Sequence, residues 1–301
     1  MSETRPIAAA LFVIAAMGVI GFIDNYVVVI AGETGLWQFH LMRAAIALPL
    51  LAAAAALGFG TLRATAPRPV ALRSFLVSAT MVLYFGTLAF LPIAKVVAGL
   101  FTAPLWVMVI SALFLGQRVG PVRALAGIVG FLGVLLVLKP EAGSFTPVSA
   151  VPLVAGLLYA LGAIVTREGC ARESVPALLT GFFTAMAIWS ILGLLVLAIL
   201  QPDAPPGAAG FILRGWGPPS ETALFWTAVQ AVGSILGVGL LTRGYQLADA
   251  SFVAVFEYSL LGFVSVWAWV LRGETLDALS LAGLCLIAVS GVVIALRGRD
   301  R

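Results

Sequence analysis

Charge is what this sequence has least of. Acidic and basic residues together make up 10% of its 301 positions, against roughly 25% in an ordinary soluble domain. A chain so poor in charge cannot cover a globular surface with solvated groups. Histidine occurs once, at His40, and cysteine twice, at Cys170 and Cys285. Two cysteines make no disulfide framework. Cys170 falls in a short basic loop and Cys285 inside an apolar run, so each is read as a packed thiol. One histidine and no cluster of carboxylates leave no ligand set for a metal. The HExxH and GxxxxGK[ST] patterns are both absent. The reading is therefore of no catalytic residues, no metal, no cofactor and no ATP-driven step. The net charge of +4 comes from basic residues spread singly over short loops, which gives no nucleic-acid surface.

What the sequence does have is apolar length. It is 62% hydrophobic with a mean hydropathy of +1.12, and its apolar runs reach about 20 residues, enough to cross a bilayer as helices. Ten spans are predicted, at 6–31, 35–60, 72–91, 93–116, 121–138, 149–166, 176–200, 222–247, 250–271 and 277–296. The first run is too long for the core of a cleaved signal peptide and is kept as a mature span. Pro92 separates the third span from the fourth, and short hairpins make neighbouring helices antiparallel. The longest connection, 201–221, is rich in Pro and Gly and reads as a surface loop. Phe211, Ile212, Leu213 and Trp216 are expected to rest there at the membrane interface.

Loop arginines set the expected orientation. With the N-terminus inside, 12 of the 17 basic residues fall on the cytoplasmic side, four fall outside, and Arg43 lies within a span. Both termini are then cytoplasmic. Against this frame a weak internal repeat gains meaning. Leu115-Gly116-Gln117-Arg118 followed by Ala126-Gly127 reappears as Leu271-Arg272-Gly273-Glu274 followed by Ala282-Gly283. The first turn falls inside and the second outside. Two copies of a five-span unit must lie in opposite orientations, as in secondary transporters. The expected fold is an all-α integral membrane protein of ten helices in two inverted five-helix repeats, 1–140 and 149–301.

Polar groups within the bilayer cost about 2.5–3.5 kcal/mol each on insertion scales, so the few present are the candidates for substrate contact. Asp24 and Asn25 lie near the outer end of the first span, and His40 and Arg43 one to two turns into the second. By helical rise, Asp24 and Arg43 both sit about 10–12 Å below the outer surface. They form either a structural ion pair or a substrate-facing or proton-carrying set. His40, titrating near neutrality, is a proton-transfer candidate or a snorkelling side chain. Glu257, followed by Tyr258 and set among Phe252 and Phe256, either binds a coupling proton or is held by hydrogen bonds. Lys95 is read as snorkelling to the outer face. Tyr84 and Tyr159 carry hydroxyls that need partners at mid-depth. Trp106 follows Pro104, which is expected to kink the fourth span, and Thr102 and Gln230 complete the candidate substrate site. Gly233 and Gly237 form a GxxxG read as packing within the bundle, which leaves a monomer or a weak homodimer.

The stretch from Phe90 to Pro140, with Ala103-Pro104, Phe114-Leu115-Gly116 and Gly130-Phe131-Leu132-Gly133-Val134, resembles the EamA type of the drug/metabolite transporter superfamily. Asp24, Arg43, Glu257-Tyr258 and Gly273-Glu274 add to that resemblance. It implies ten helices in two inverted repeats, with the first to fourth and sixth to ninth around a central cavity and the fifth and tenth outside it. It further implies movement of small organic solutes, often export of amino acids. The family's usual acidic residue after Leu-Gly in the first turn is Gln117 here, whereas Glu274 is kept. The expectation is a secondary transporter of small metabolites, foremost amino acids, working outward across a bacterial inner membrane with the lipid bilayer and a small-molecule substrate as partners. Alternatives are an importer of a vitamin or nucleotide-like metabolite, a channel, or an intramembrane enzyme.

Overall fold

The computed structural model describes residues 5–87, 91, 93–117, 119–140 and 147–297. Phe90, Pro92 and Arg118, and Arg299 and Arg301 among the twelve cytoplasmic basic residues, lie outside the described residues. Among the described residues there is no strand, and ten helical segments are long and apolar enough to cross a membrane. The chain is an all-α, multi-pass membrane protein. The spans are Pro6–Glu33, Leu36–Ala56, Pro67–Thr87, Ile93–Leu113, Pro121–Leu138, Pro147–Gly169, Val175–Leu200, Glu221–Leu247, Ala250–Arg272 and Ala278–Leu296. Each matches its expected span to within a few residues. The third departs most, because it begins at Pro67. Proline in a first helical turn forfeits only an N–H that has no helical partner anyway, so Pro67 and Pro69 start the helix. Arg73, at the very start of the expected span 72–91, is thereby carried almost two turns into the helix.

Three spans are interrupted. The first breaks at Asn25 and Tyr26, between helices Pro6–Asp24 and Val27–Glu33. The fourth breaks at Phe101 and Thr102, between Ile93–Leu100 and Ala103–Leu113. The ninth passes from a single turn, Ala250–Val253, through a tight 3-10 stretch, Ala254–Tyr258, into Ser259–Arg272. Pro104 stands in the first turn after the break in the fourth span, so it opens a new helix and does not kink the middle of one.

Helices adjacent in sequence are mostly not partners in space. The first span packs along the eighth and ninth, and the sixth along the third and fourth. The third meets the seventh, and the eighth meets the second. The second packs on the seventh, and the fifth on the tenth. The chain 1–140 is thus interleaved with 149–301. The first and second spans have no extended contact with each other, contrary to the simple hairpin expected.

Small residues set the closest approaches. A Cβ on Gly133 would lie 2.6 Å from the Gly283 carbonyl oxygen, and one on Gly283 would lie 2.6 Å from that of Gly133. The fifth and tenth spans therefore touch backbone to backbone. Gly233 and Gly237 face Ile23 and Ile20 of the first span, so the GxxxG packs inside the bundle. Beyond the helix ends, Lys139 and Asp277 pair, and Asp277 also accepts from the Ser280 backbone N–H at 2.8 Å, capping the tenth span. These partners hold the Asp277 carboxyl down at about 2. Both cysteines are free, Cys170 buried and Cys285 outward-facing.

Candidate substrate site

The interleaving leaves a cavity of about 900 Å³ near the middle of the bundle. Its wall is drawn from the first to fourth and sixth to ninth spans. The fifth contributes only Val137 and Leu138 at its end, and the tenth contributes nothing among the described residues. Most of the wall is apolar, with Met17, Ile20, Phe39, Phe85, Phe101, Phe182 and Leu260 among its residues. The interruptions of the fourth and ninth spans both face it, through Phe101 and Pro104 on one side and Glu257 on the other. Broken helices let backbone and side-chain polar groups reach a site at mid-membrane depth.

Four charged side chains line this space: Asp24, Arg43, Arg73 and Glu257. The eighth span orders them by depth. Gln230 and Ser234 stand near Asp24 and Arg43, while Thr242 and Tyr245 stand near Arg73 and Glu257. Ser234 and Thr242 are eight positions apart, about 12 Å along a helix.

At the first station, Arg43 is buried and donates to Ser234 Oγ at 3.4 Å. Its guanidinium lies 5.2 Å from the Phe39 ring centre and 5.8 Å from that of Phe183, close enough for cation–π attraction. Its Nε has no partner. Asp24 is accessible, and the space it reaches is the cavity. Among the described residues it makes no hydrogen bond or ion pair, with Arg43 or any other group. The direct ion pair read from equal depth is therefore absent. The two charges attract each other across the cavity, but their helices have no extended contact and no salt bridge closes between them. Gln230 Nε2 donates to the Ile23 carbonyl at 2.8 Å, one residue before Asp24. That bond ties the eighth span to the end of the first helix.

At the second station, Glu257 accepts from Tyr159 Oη at 2.7 Å and from the Tyr245 hydroxyl. Arg73 is 3% exposed. It donates to Thr166 Oγ1 at 3.4 Å, to the Leu178 carbonyl at 2.9 Å and to Thr242 Oγ1 at 3.0 Å. These belong to the sixth, seventh and eighth spans. Beyond Arg73 the bundle is sealed by Gln246, whose Nε2 donates to the carbonyls of Cys170 and Glu173, each at 2.9 Å. Arg167 donates to the Gln246 carbonyl at 2.8 Å.

The opposite end is covered by the long loop. Ala209, Phe211 and Ile212 line the cavity, and Phe211 is buried. The interfacial position expected for Phe211 and Ile212 is replaced by this one; Trp216 remains outward-facing. The cause is Arg214, which donates to the carbonyls of Ala31 at 3.1 Å and Thr34 at 2.8 Å. Those carbonyls are left open where the first span ends. Gln38 and Gly217 exchange two further bonds, at 2.6 and 3.1 Å.

Of the residues singled out from sequence, Asp24, Arg43, Tyr84, Tyr159, Gln230 and Glu257 line the cavity. Asn25, His40, Thr102, Trp106 and Tyr258 do not. Asn25 binds the Gly21 carbonyl at 2.7 Å and accepts from Arg272 at 2.8 Å. His40 is buried between Phe39 and Phe85 with neither ring nitrogen partnered. Thr102 Oγ1 donates to the Gly99 carbonyl at 2.6 Å, bridging the break in the fourth span. Trp106 and Tyr258 pack in the apolar core, and the Trp106 indole N–H and the Tyr258 hydroxyl lack partners. Arg73, Ser234, Thr242 and Tyr245 were not anticipated. Starting the third helix at Pro67 would have put Arg73 well inside it and not at its first turn.

No family model matches the chain. Over 218 residues it is 31% identical to the pseudopaline exporter CntI of Pseudomonas aeruginosa, an alignment covering 71% of this chain and 70% of that one. The chain belongs to that exporter's family of membrane transporters. It is also similar to a riboflavin transporter of Brucella anthropi, 26% identical over 66% of each chain. An S-adenosylmethionine uptake transporter of Rickettsia bellii is 25% identical over 76% of this chain and 73% of that one. A crystal structure of a chain 18% identical matches with a TM-score of 0.76 over 96% of this chain and 98% of that one, which shows a common fold. These three relatives are transporters, one named as an exporter and one as an uptake transporter.

Proposed function

We propose that this protein is a secondary transporter that moves amino-acid-type metabolites outward across a bacterial inner membrane, by alternating access to the central cavity. The observation that carries the reading is the first station. A carboxylate, Asp24, and a guanidinium, Arg43, face one apolar space without pairing to each other. An ammonium group binds the first and a carboxylate the second, and an amino acid supplies both at once. Intramembrane charges left open to a cavity mark substrate paths.

Two inverted repeats suit this mechanism. Exchanging the first five spans for the last five turns each major packing pair into another one. First-on-eighth becomes sixth-on-third, first-on-ninth becomes sixth-on-fourth, and third-on-seventh becomes eighth-on-second. Fifth-on-tenth and second-on-seventh map onto themselves. A pseudo-two-fold of this kind supports rocking of one half against the other around a fixed site. The excess of basic residues on one side supports cytoplasmic termini, with the 201–221 loop outside. This reading carries over the EamA resemblance, and coupling to protons through Glu257 is part of it.

Reconstitution in proteoliposomes tests it. Labelled amino acids, riboflavin and S-adenosylmethionine are offered in counter-flow. Saturable uptake of amino acids, accelerated by unlabelled amino acid inside, supports the proposal. Counter-flow with riboflavin alone would favour the importer reading, and linear flux without saturation would indicate a channel.

A further inference from the structure

Arg73 is not used by the reading above. It lines the same cavity, about 12 Å along the eighth span from the first station. Its three bonds go to two hydroxyls and a carbonyl, all uncharged. Among the described residues no carboxylate pairs with it. Glu257, the acid at the same station, makes no salt bridge to it and accepts instead from two tyrosine hydroxyls. A buried cation with no carboxylate in direct contact is costly. Neutral acceptors orient the guanidinium but do not cancel its charge. Three of its five N–H donors are engaged, which leaves two for a ligand.

We infer that Arg73 binds a second anionic group of the substrate, so that the transported class is an elongated amino acid carrying a distal carboxylate. This rests on the zwitterion reading of Asp24 and Arg43. The cavity volume agrees with it. A space of about 900 Å³ lies at the upper end of the range for small-molecule pockets, far more than a simple amino acid fills. The apolar stretch between the stations, with Ile20, Val238 and Leu241, suits a hydrocarbon or weakly polar spacer. The chemistry recognised is therefore an ammonium and a carboxylate at one end, an apolar middle, and an anion at the other end.

The test uses the full chain in proteoliposomes with N-(carboxyhexyl)alanine, whose carboxylates can reach about 12 Å apart, and with its distal primary amide. Competition against labelled alanine measures each affinity. The wild type is expected to prefer the acid over the amide by about tenfold or more, the scale of a charge-assisted hydrogen bond. In Arg73→Gln that preference is expected to collapse to about threefold or less, with the loss falling mainly on the acid. A purely structural role for Arg73 would weaken both probes alike. An unchanged preference in a folded Arg73→Gln, or equal loss for both probes, overturns the inference. Should Arg73→Gln fail to elute as a folded species, the wild-type comparison decides, since no preference for the acid refutes the second anion site. Alanine transport with no acid preference removes Arg73 alone, whereas no transport of any amino acid removes the zwitterion reading and this inference with it.

Discussion

Neutralising Asp24 and Arg43 separately and together distinguishes a binding site from a structural clasp. The two side chains face the cavity from helices with no extended contact, and no ion pair joins them. Asp24→Asn therefore removes no hydrogen bond, only a longer-range attraction to Arg43, and Arg43→Gln removes that attraction, one bond of 3.4 Å to Ser234 and two cation–π contacts. The expected stability change is near zero for the first and about 1 kcal/mol for the second. Binding is expected to suffer more. A hydrogen bond to a charged group contributes about 1.5–3 kcal/mol, so each variant should lose roughly 10- to 150-fold in amino-acid affinity. The losses should also be selective. Asp24→Asn should leave a deaminated analogue, which has no ammonium, bound about as well as by the wild type. Thermal unfolding in detergent and counter-flow in proteoliposomes read the two quantities on the same samples. A double-mutant cycle completes the test. If Asp24→Asn unfolds the protein by several kcal/mol and the double variant recovers stability, the charges are serving each other and the substrate assignment fails.

Gly133→Ala would push a methyl against the Gly283 carbonyl oxygen at 2.6 Å. Because that neighbour is backbone, overpacking should lower stability by about 1–3 kcal/mol, and a neutral result in thermal unfolding would show that the fifth and tenth spans are not in backbone contact. Glu257→Gln, which leaves an amide between the Tyr159 and Tyr245 hydroxyls, is expected to abolish the pH dependence of transport while exchange continues. Unchanged pH dependence would exclude Glu257 from proton coupling. Arg214→Ala removes the bonds to the Ala31 and Thr34 carbonyls, so the loop should loosen and a cysteine placed at Ala209 should label faster with a membrane-impermeant maleimide; equal rates would show that Arg214 does not hold the cover. Asp277, held at about 2 against an ordinary 3.8, favours the folded state above pH about 4 and loses that contribution as pH falls through about 2. An NMR titration that places its midpoint at or above 3.8 would mean the Lys139 pair does not form.

Some of this protein was written in the sequence in a form that needs no tertiary structure. Ten spans follow from apolar run length, because hydrocarbon accepts little but helices whose backbone bonds are satisfied internally. Burial of Gln230 and Glu257 toward the interior follows from the same penalty. What composition could not supply was adjacency. Asp24 and Arg43 share a depth, yet depth fixes one coordinate of three, and the interleaved packing leaves them on opposite sides of a cavity without a salt bridge. His40 and Trp106 have the chemistry of site residues but turn toward Phe85 and the apolar core.

The sequence by itself determined the fold class, since apolar length and scarcity of charge are local properties that a bilayer reads residue by residue. Only the tertiary structure decided which charges share a cavity. Arg73 reaches it because two prolines begin a helix where a loop was expected, and three other spans then supply neutral acceptors that aim its guanidinium. Such an arrangement depends on spans that are far apart in the chain, so no window of sequence contains it.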